Sequence, residues 1–65
     1  MTLNEIKQAV NDGKTVCWTS EIYVVERNGT EDYYLIHCTI NDNYIGLTWL
    51  DGKTMNGEEK DFFVK

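Results

Sequence analysis

The first thirteen residues have the hydrophobic spacing of an amphipathic helix. Leu3, Ile6 and Val10 recur at positions i, i+3 and i+7, which places them on one helix face. Thr2 and Glu5 have the spacing of a capping box, in which each side chain accepts a hydrogen bond from the other residue's backbone N–H. The pattern predicts a helix of about ten residues that begins at Thr2.

Gly13 can end this helix, and from Lys14 onward the hydrophobic period is two, which is typical of β-strands. Asn28-Gly29 is a strong hairpin signal, and Asp42-Asn43 predicts a second tight turn. The expected strands cover residues 15–18, 21–27, 32–40, 44–50 and 62–64. Tight hairpins make neighbouring strands antiparallel. We therefore expect one α+β domain over residues 1–65, with the N-terminal amphipathic helix packed on one face of a four- or five-stranded antiparallel β-meander.

The register of this meander predicts which side chains form the core. If Asp42-Asn43 are the two turn residues, three apolar pairs share one face of the sheet: Ile40 with Ile45, Cys38 with Leu47, and Ile36 with Trp49. The helix is expected to cover this face, and the remaining core residues are Tyr23, Val25, Tyr34, Leu3, Ile6, Ala9 and Val10. The opposite face is mixed and is expected to be uncovered; it carries Ile22, Val24, Glu26, Tyr33, Leu35, His37, Thr39, Gly46, Thr48 and Leu50.

The two cysteines are expected to be buried and reduced, with a disulfide as the alternative. No apolar run is long enough to span a membrane and the first residues lack the regions of a signal peptide, so the expected compartment is the cytoplasm. Cys17, His37 and Cys38 invite a metal site or a thiol dyad. However, His37 and Cys38 are adjacent on a strand and point to opposite faces. We expect no metal site and no cysteine nucleophile.

Acid–base catalysis is also not expected. The paired carboxylates Glu31-Asp32 and Glu58-Glu59 stand in polar, turn-like segments, whereas a catalytic acid needs a dry pocket that raises its pKa. The glycines occur only in turns, without the spacing that cradles a phosphate. The expectation is a protein that is not an enzyme and has no cofactor.

Charge gives the clearest indication of a partner. Eleven acidic residues against six lysines and arginines give a net charge of −5, which repels nucleic acids and anionic membranes and favours a basic protein. The acidic residues are expected to gather at the Asn28-Gly29 end of the sheet, where carboxylates on adjoining turns can have phosphate-like separations. The candidate partner-binding residues are Glu26, Glu31, Asp32, Asp51, Glu58, Glu59, Asp61 and, for short-range contact, Tyr33. The alternatives are that the charge serves solubility, or that the uncovered sheet face is the binding surface.

The C-terminal half resembles small proteins of phages and mobile elements. The resemblance rests on Ile45-Gly46-Leu47-Thr48-Trp49, Asp51-Gly52, Met55-Asn56-Gly57 and Asp61-Phe62-Phe63. Compact acidic proteins of this kind include anti-CRISPR proteins. The resemblance implies a non-enzymatic inhibitor that binds a basic nucleic-acid-binding host protein, such as a CRISPR–Cas subunit, and occludes its DNA site by acidic DNA mimicry. The alternative is a self-associating structural or accessory protein of a phage or plasmid, and the expected state is a monomer or weak homodimer.

Overall fold

A computed structural model describes residues 1–29, 33–49 and 53–65. The described chain forms one α-helix, five β-strands and a short 3-10 helix. Their bounds are α1 (Leu3–Asn11), β1 (Val16–Trp18), β2 (Ser20–Arg27), β3 (Tyr34–Cys38), β4 (Asn43–Gly46), the 3-10 helix (Glu59–Asp61) and β5 (Phe62–Val64). The predicted α+β fold, with a helix on one face of an antiparallel sheet, is confirmed. No helix in these residues is long and apolar enough to cross a membrane.

The capping box predicted for α1 is present. The Thr2 hydroxyl accepts from the Glu5 backbone N–H at 3.2 Å, and the Glu5 carboxylate accepts from the Thr2 backbone N–H at 2.8 Å. At the other end, Gly13 has a positive φ of 83°, and the Lys14 N–H donates to the Ala9 carbonyl at 3.0 Å. Both helix ends therefore satisfy backbone groups that would otherwise lack partners.

The sheet has the strand order β4-β3-β2-β1-β5, and every pairing is antiparallel. The first four strands form a meander. The last strand lies beside β1, where it pairs Val16 with Val64 and Trp18 with Phe62. This position buries Phe62, whose ring centroid lies 6.3 Å from that of Trp18. The C-terminal strand therefore covers an edge of β1 and completes the core.

The core lies between α1 and one face of the sheet. Ile6, Val16 and Ile36 are fully buried there. Seven residues of the expected core are buried: Ile6, Ala9, Val25, Tyr34, Ile36, Cys38 and Leu47. Three more, Leu3, Val10 and Tyr23, are partly buried against it. Val16 and Phe62 join this core, although we did not include them in the expected set.

The expected register of β3 against β4 is wrong by four residues. Ile45 pairs with Ile36 instead of Ile40, because residues 39–42 form a longer turn. Asp42 adopts a positive φ of 58°, and its N–H donates to the Cys38 carbonyl at 2.9 Å, which closes this turn. The shift of four residues keeps each side chain on its expected face of the sheet, but it shortens the run of paired residues between β3 and β4. Three residues that we expected in the core are consequently exposed: Ile40 (73%), Trp49 (65%) and Ile45 (40%).

Both cysteines are buried free thiols, as expected. Cys17 pairs with Val24, whereas Cys38 pairs with Tyr23, so the two thiols lie on opposite faces of the sheet. Burial raises the pKa of the Cys17 thiol, and the nearby Glu21 carboxylate adds to this effect. The sheet itself therefore separates the two sulfur atoms, and a bond between them is incompatible with this fold.

Candidate functional site

The sheet face opposite α1, here called the open face, carries the candidate site. Residues that pair directly across antiparallel strands share a face, so the ladder defines one row that crosses all five strands. In the order β5-β1-β2-β3-β4, this central row consists of Phe63, Cys17, Val24, His37 and Tyr44. Val24 and His37 are on this face, as expected from the sequence.

The side chain of His37 is held between two carboxylates. Its Nδ1 lies 2.6 Å from Oε2 of Glu26, and its Nε2 lies 2.9 Å from Oδ1 of Asp42. Glu26 is on β2, where it pairs with Leu35, and Asp42 ends the turn between β3 and β4. The His37 side chain is 15% exposed, whereas those of Glu26 and Asp42 are 45% and 85% exposed. The ring is therefore the most sheltered member of the cluster.

Two hydrogen bonds from His37 to ionised carboxylates need a protonated imidazole. A neutral ring has one N–H and can donate to only one carboxylate, whereas an imidazolium donates from both nitrogens. The hydrogen bond to Asp42, followed by that to Glu26, raises the pKa of His37 above its ordinary value of 6.5, and partial burial opposes this rise. The cluster of one cation and two anions consequently has one net negative charge. Loss of the proton would leave two.

Tyr44 stacks on the imidazole. The two ring centroids are 4.5 Å apart and the ring planes differ by 8°. Tyr44 is still 51% exposed, so much of its aromatic surface is in contact with solvent. An electron-rich aromatic face stabilises a cation stacked against it. The stack therefore favours the protonated ring and leaves an accessible aromatic surface beside two carboxylates.

Apolar and aromatic groups lie on the same open face as this cluster. Ile22, Tyr33 and Phe63 are 37%, 44% and 38% exposed. The Tyr33 hydroxyl lies 3.4 Å from the position that a Cβ of Gly46 would occupy. Tyr33 thus lies against β4 at Gly46, which has no side chain. The open face combines aromatic side chains, which are enriched at protein interfaces, with two carboxylates.

In this cluster the two carboxylates hold the imidazole in a fixed position. Both His37 nitrogens are already engaged, so neither offers a free lone pair to a reacting group. In the part of the chain that the structure describes, no set of three or more His, Cys, Asp or Glu side chains could hold a metal ion. The arrangement is best suited to recognition of a cationic group.

The structure describes some of the acidic residues predicted as the partner-binding site. Glu26 lies on the open face in contact with His37, and Tyr33 lies on the same face. Glu31, Asp32 and Asp51 are outside the described residues. The remaining three, Glu58, Glu59 and Asp61, belong to the segment at the 3-10 helix.

This segment lies at the opposite end of β2 from Glu26. The Thr19 N–H donates to the Asp61 carbonyl at 2.8 Å, and Thr19 connects β1 to β2. Glu26 is six residues along β2 from the start of that strand, a distance of about 20 Å at the rise of a β-strand. The structure therefore does not bring Asp61 close to Glu26, and the partner-binding role of Glu58, Glu59 and Asp61 stays a prediction. Glu58 instead lies 3.2 Å from the Lys60 ammonium.

Sequence reasoning missed the contribution of Asp42 and Tyr44. We placed Asp42 in a turn and gave Tyr44 no role. Both contacts depend on the register of β4, in which His37 faces Tyr44. The available signal was an aspartate five residues after a histidine, across a hairpin turn.

Comparisons of the chain with protein-family models, with curated proteins and with solved structures found no match.

Proposed function

We propose that this chain is a non-enzymatic binding protein whose open face docks on a basic, nucleic-acid-binding partner and occludes the partner's nucleic-acid site. One observation carries the proposal. Two carboxylates, Glu26 and Asp42, contact His37, whose ring stacks on the half-exposed ring of Tyr44 on the face that α1 does not cover. Carboxylates and aromatic rings bind arginine, which is one of the residues with which proteins contact nucleic-acid phosphates.

The overall charge supports the same partner class. A net charge of −5 attracts a basic surface over distances of a Debye length and accelerates encounter. The exposed side chains of Ile22, Tyr33 and Phe63 supply apolar contact at short range, which slows dissociation. In this mechanism the acidic charge takes the place of phosphate charge, and the body of the domain blocks access. The resemblance described above makes a CRISPR–Cas subunit the first partner to test.

The test is a pull-down from a bacterial lysate that contains an active CRISPR–Cas system, at low and high salt, read by mass spectrometry. We expect recovery of a Cas subunit at low salt and its loss when duplex DNA is added. Recovery that DNA does not affect would contradict occlusion of the DNA site. Recovery of no nucleic-acid-binding protein would contradict the partner class.

Matched variants of this protein, tested for binding to the recovered partner, identify the surface that makes the contact. Tyr44→Ala is expected to weaken binding at least tenfold, as truncation of a buried interface aromatic does. Trp49→Ala is the control, because Trp49 is a more exposed aromatic that is not in the central row. If Glu58→Gln weakens binding and Tyr44→Ala does not, the 3-10 segment is the binding surface and the open face is not.

A second candidate function is self-association as a structural or accessory protein. It is favoured by the same exposed apolar side chains on the open face, since a second copy could cover them. Sedimentation across a wide concentration range distinguishes the two. A stable dimer that Tyr44→Ala dissociates would support self-association, and a monomer at high concentration would exclude it.

A further inference from the structure

We infer that His37 acts as an internal competitor for the Glu26 and Asp42 carboxylates, so that loss of its proton opens the open face to an arginine of the partner. This inference rests on the proposed function, because it concerns the same surface. It adds to that function a site that binds a guanidinium group, and this site becomes available when His37 loses its proton.

The geometry supports competition. The imidazolium donates to one oxygen of Glu26 at 2.6 Å and to one oxygen of Asp42 at 2.9 Å. A guanidinium binds a carboxylate in bidentate fashion and needs both oxygens of one group. It would also stand within a few ångströms of the His37 positive charge, which repels it. The protonated ring and an incoming arginine therefore exclude each other to a large extent.

Asp42 is the carboxylate that would be released first. Its side chain is 85% exposed and it lies in a turn, whereas Glu26 is 45% exposed and lies within β2. A neutral His37 can still donate one hydrogen bond to the less exposed Glu26. The freed Asp42 carboxylate and the accessible ring of Tyr44 would then bind the guanidinium by a hydrogen-bonded ion pair and a cation–π contact.

The titratable groups that face His37 lie outside its own strand, β3. Among the described residues these titratable groups are Glu26 of β2, Asp42 of the turn and Tyr44 of β4. The two hydrogen bonds raise the pKa of His37. Protonation therefore persists to a higher pH than for a free histidine. Binding of a guanidinium must lower this pKa by the same free energy by which protonation weakens binding, because linkage is reciprocal.

The experiment uses the whole chain and an acetylated, amidated hexa-arginine peptide as the probe. The His37 ring signals are followed by NMR through a pH titration, with and without saturating peptide. We expect the peptide to lower the His37 pKa. We also expect its affinity to fall by about tenfold for each pH unit below the pKa of the free protein, the limit for exclusion by one proton.

Two variants test the assignment. His37→Gln cannot gain a proton, so its peptide affinity is expected to be independent of pH in the same range. Asp42→Asn is expected to weaken the peptide most at high pH, where the wild-type carboxylate is free. Glu58→Gln is the control, since its carboxylate contacts Lys60 and not His37.

The outcomes separate this inference from the proposed function. An unchanged His37 pKa on saturation, or pH-independent affinity of the wild-type protein, overturns the inference. If the peptide shifts only signals at the 3-10 segment, or does not bind, the inference also fails. The proposed function is tested independently by recovery of a DNA-competed partner, which depends on neither His37 nor the peptide.

Discussion

The ring of His37 lies parallel to the ring of Tyr44, with centroids 4.5 Å apart and planes 8° apart. The two residues pair directly across β3 and β4. The stack fixes the plane of the imidazole, and both of its nitrogens then reach a carboxylate. A single histidine thereby connects β2, the turn at residues 39–42 and β4.

The first prediction concerns the charge state of His37. Its pKa, measured by NMR, is expected to lie above 6.5, and Glu26→Gln or Asp42→Asn is expected to lower it because each removes a charged acceptor. Glu58→Gln should leave it unchanged. A His37 pKa at or below the ordinary value in the wild-type protein would contradict the two-carboxylate geometry.

The same hydrogen bonds make stability depend on pH. Because the pKa of His37 is raised in the folded state, its contribution is complete below the unfolded pKa and is lost as pH rises through the folded pKa. The difference in free energy of unfolding between wild type and His37→Gln is expected to be larger at about pH 5.5 than at about pH 9. Urea denaturation at the two pH values measures it. An equal difference at both would contradict the linkage.

The second prediction tests the register of β3 and β4. Ile36→Val is expected to cost about 0.5–1.5 kcal/mol, because Ile36 is fully buried in the core. Ile40→Val is the matched control and is expected to change stability by less than about 0.5 kcal/mol, since Ile40 is 73% exposed. Chemical denaturation gives both values. Equal losses of unfolding free energy in the two variants would contradict the observed register and favour the one in which Ile40 lies in the core.

The sequence was sufficient to predict the helix, the faces of the strands and most of the core. Thr2 and Glu5 act on each other locally, so their spacing alone identifies the helix start. A four-residue shift preserves the parity of a strand, so His37 and Cys38 stay on the expected faces. These features depend on local spacing and not on the exact turn.

Features that depend on turn geometry could not be predicted. Asp42 takes a left-handed conformation that only a few residue types tolerate, and this lengthens the turn by two residues. The exposure of Ile40 and Trp49 follows from it, as does the contact between Asp42 and His37. The position of β5 beside β1 could not be predicted either, because this pairing joins segments that are far apart in sequence.

The third prediction concerns the capping box of α1. Thr2→Ala is expected to destabilise the protein by about 1 kcal/mol, because it leaves the Glu5 backbone N–H without its acceptor. Thr2→Ser retains the hydroxyl and should cost much less. The backbone hydrogen bond from Thr2 lowers the pKa of Glu5, so the contribution of this carboxylate is present above its ordinary pKa and is lost as pH falls through the lowered value. Thermal unfolding of both variants at neutral and acidic pH measures these effects.

The fourth prediction concerns the contact between Gly57 and Trp18. A Cβ at Gly57 would lie 2.8 Å from Nε1 of Trp18, and the φ of Gly57 is +154°. Gly57→Ala is therefore expected to cost about 1–3 kcal/mol and to change the tryptophan fluorescence of the folded state. Gly13→Ala is the control, because a Cβ there meets no atom within 4 Å and only the backbone is strained. A Gly57→Ala variant as stable as the wild type would contradict this close approach.

The pairing of β5 with β1 has a consequence for synthesis of the chain. Phe62–Val64 leaves the ribosome after all the other strands, yet it lies beside the strand that was made first. Until it arrives, a nascent domain exposes the backbone edge of β1 and leaves the site of Phe62 in the core empty. Folding of this domain is therefore completed after translation of its last strand, and a nascent chain that stalls before Phe62 would present an open edge to other strands.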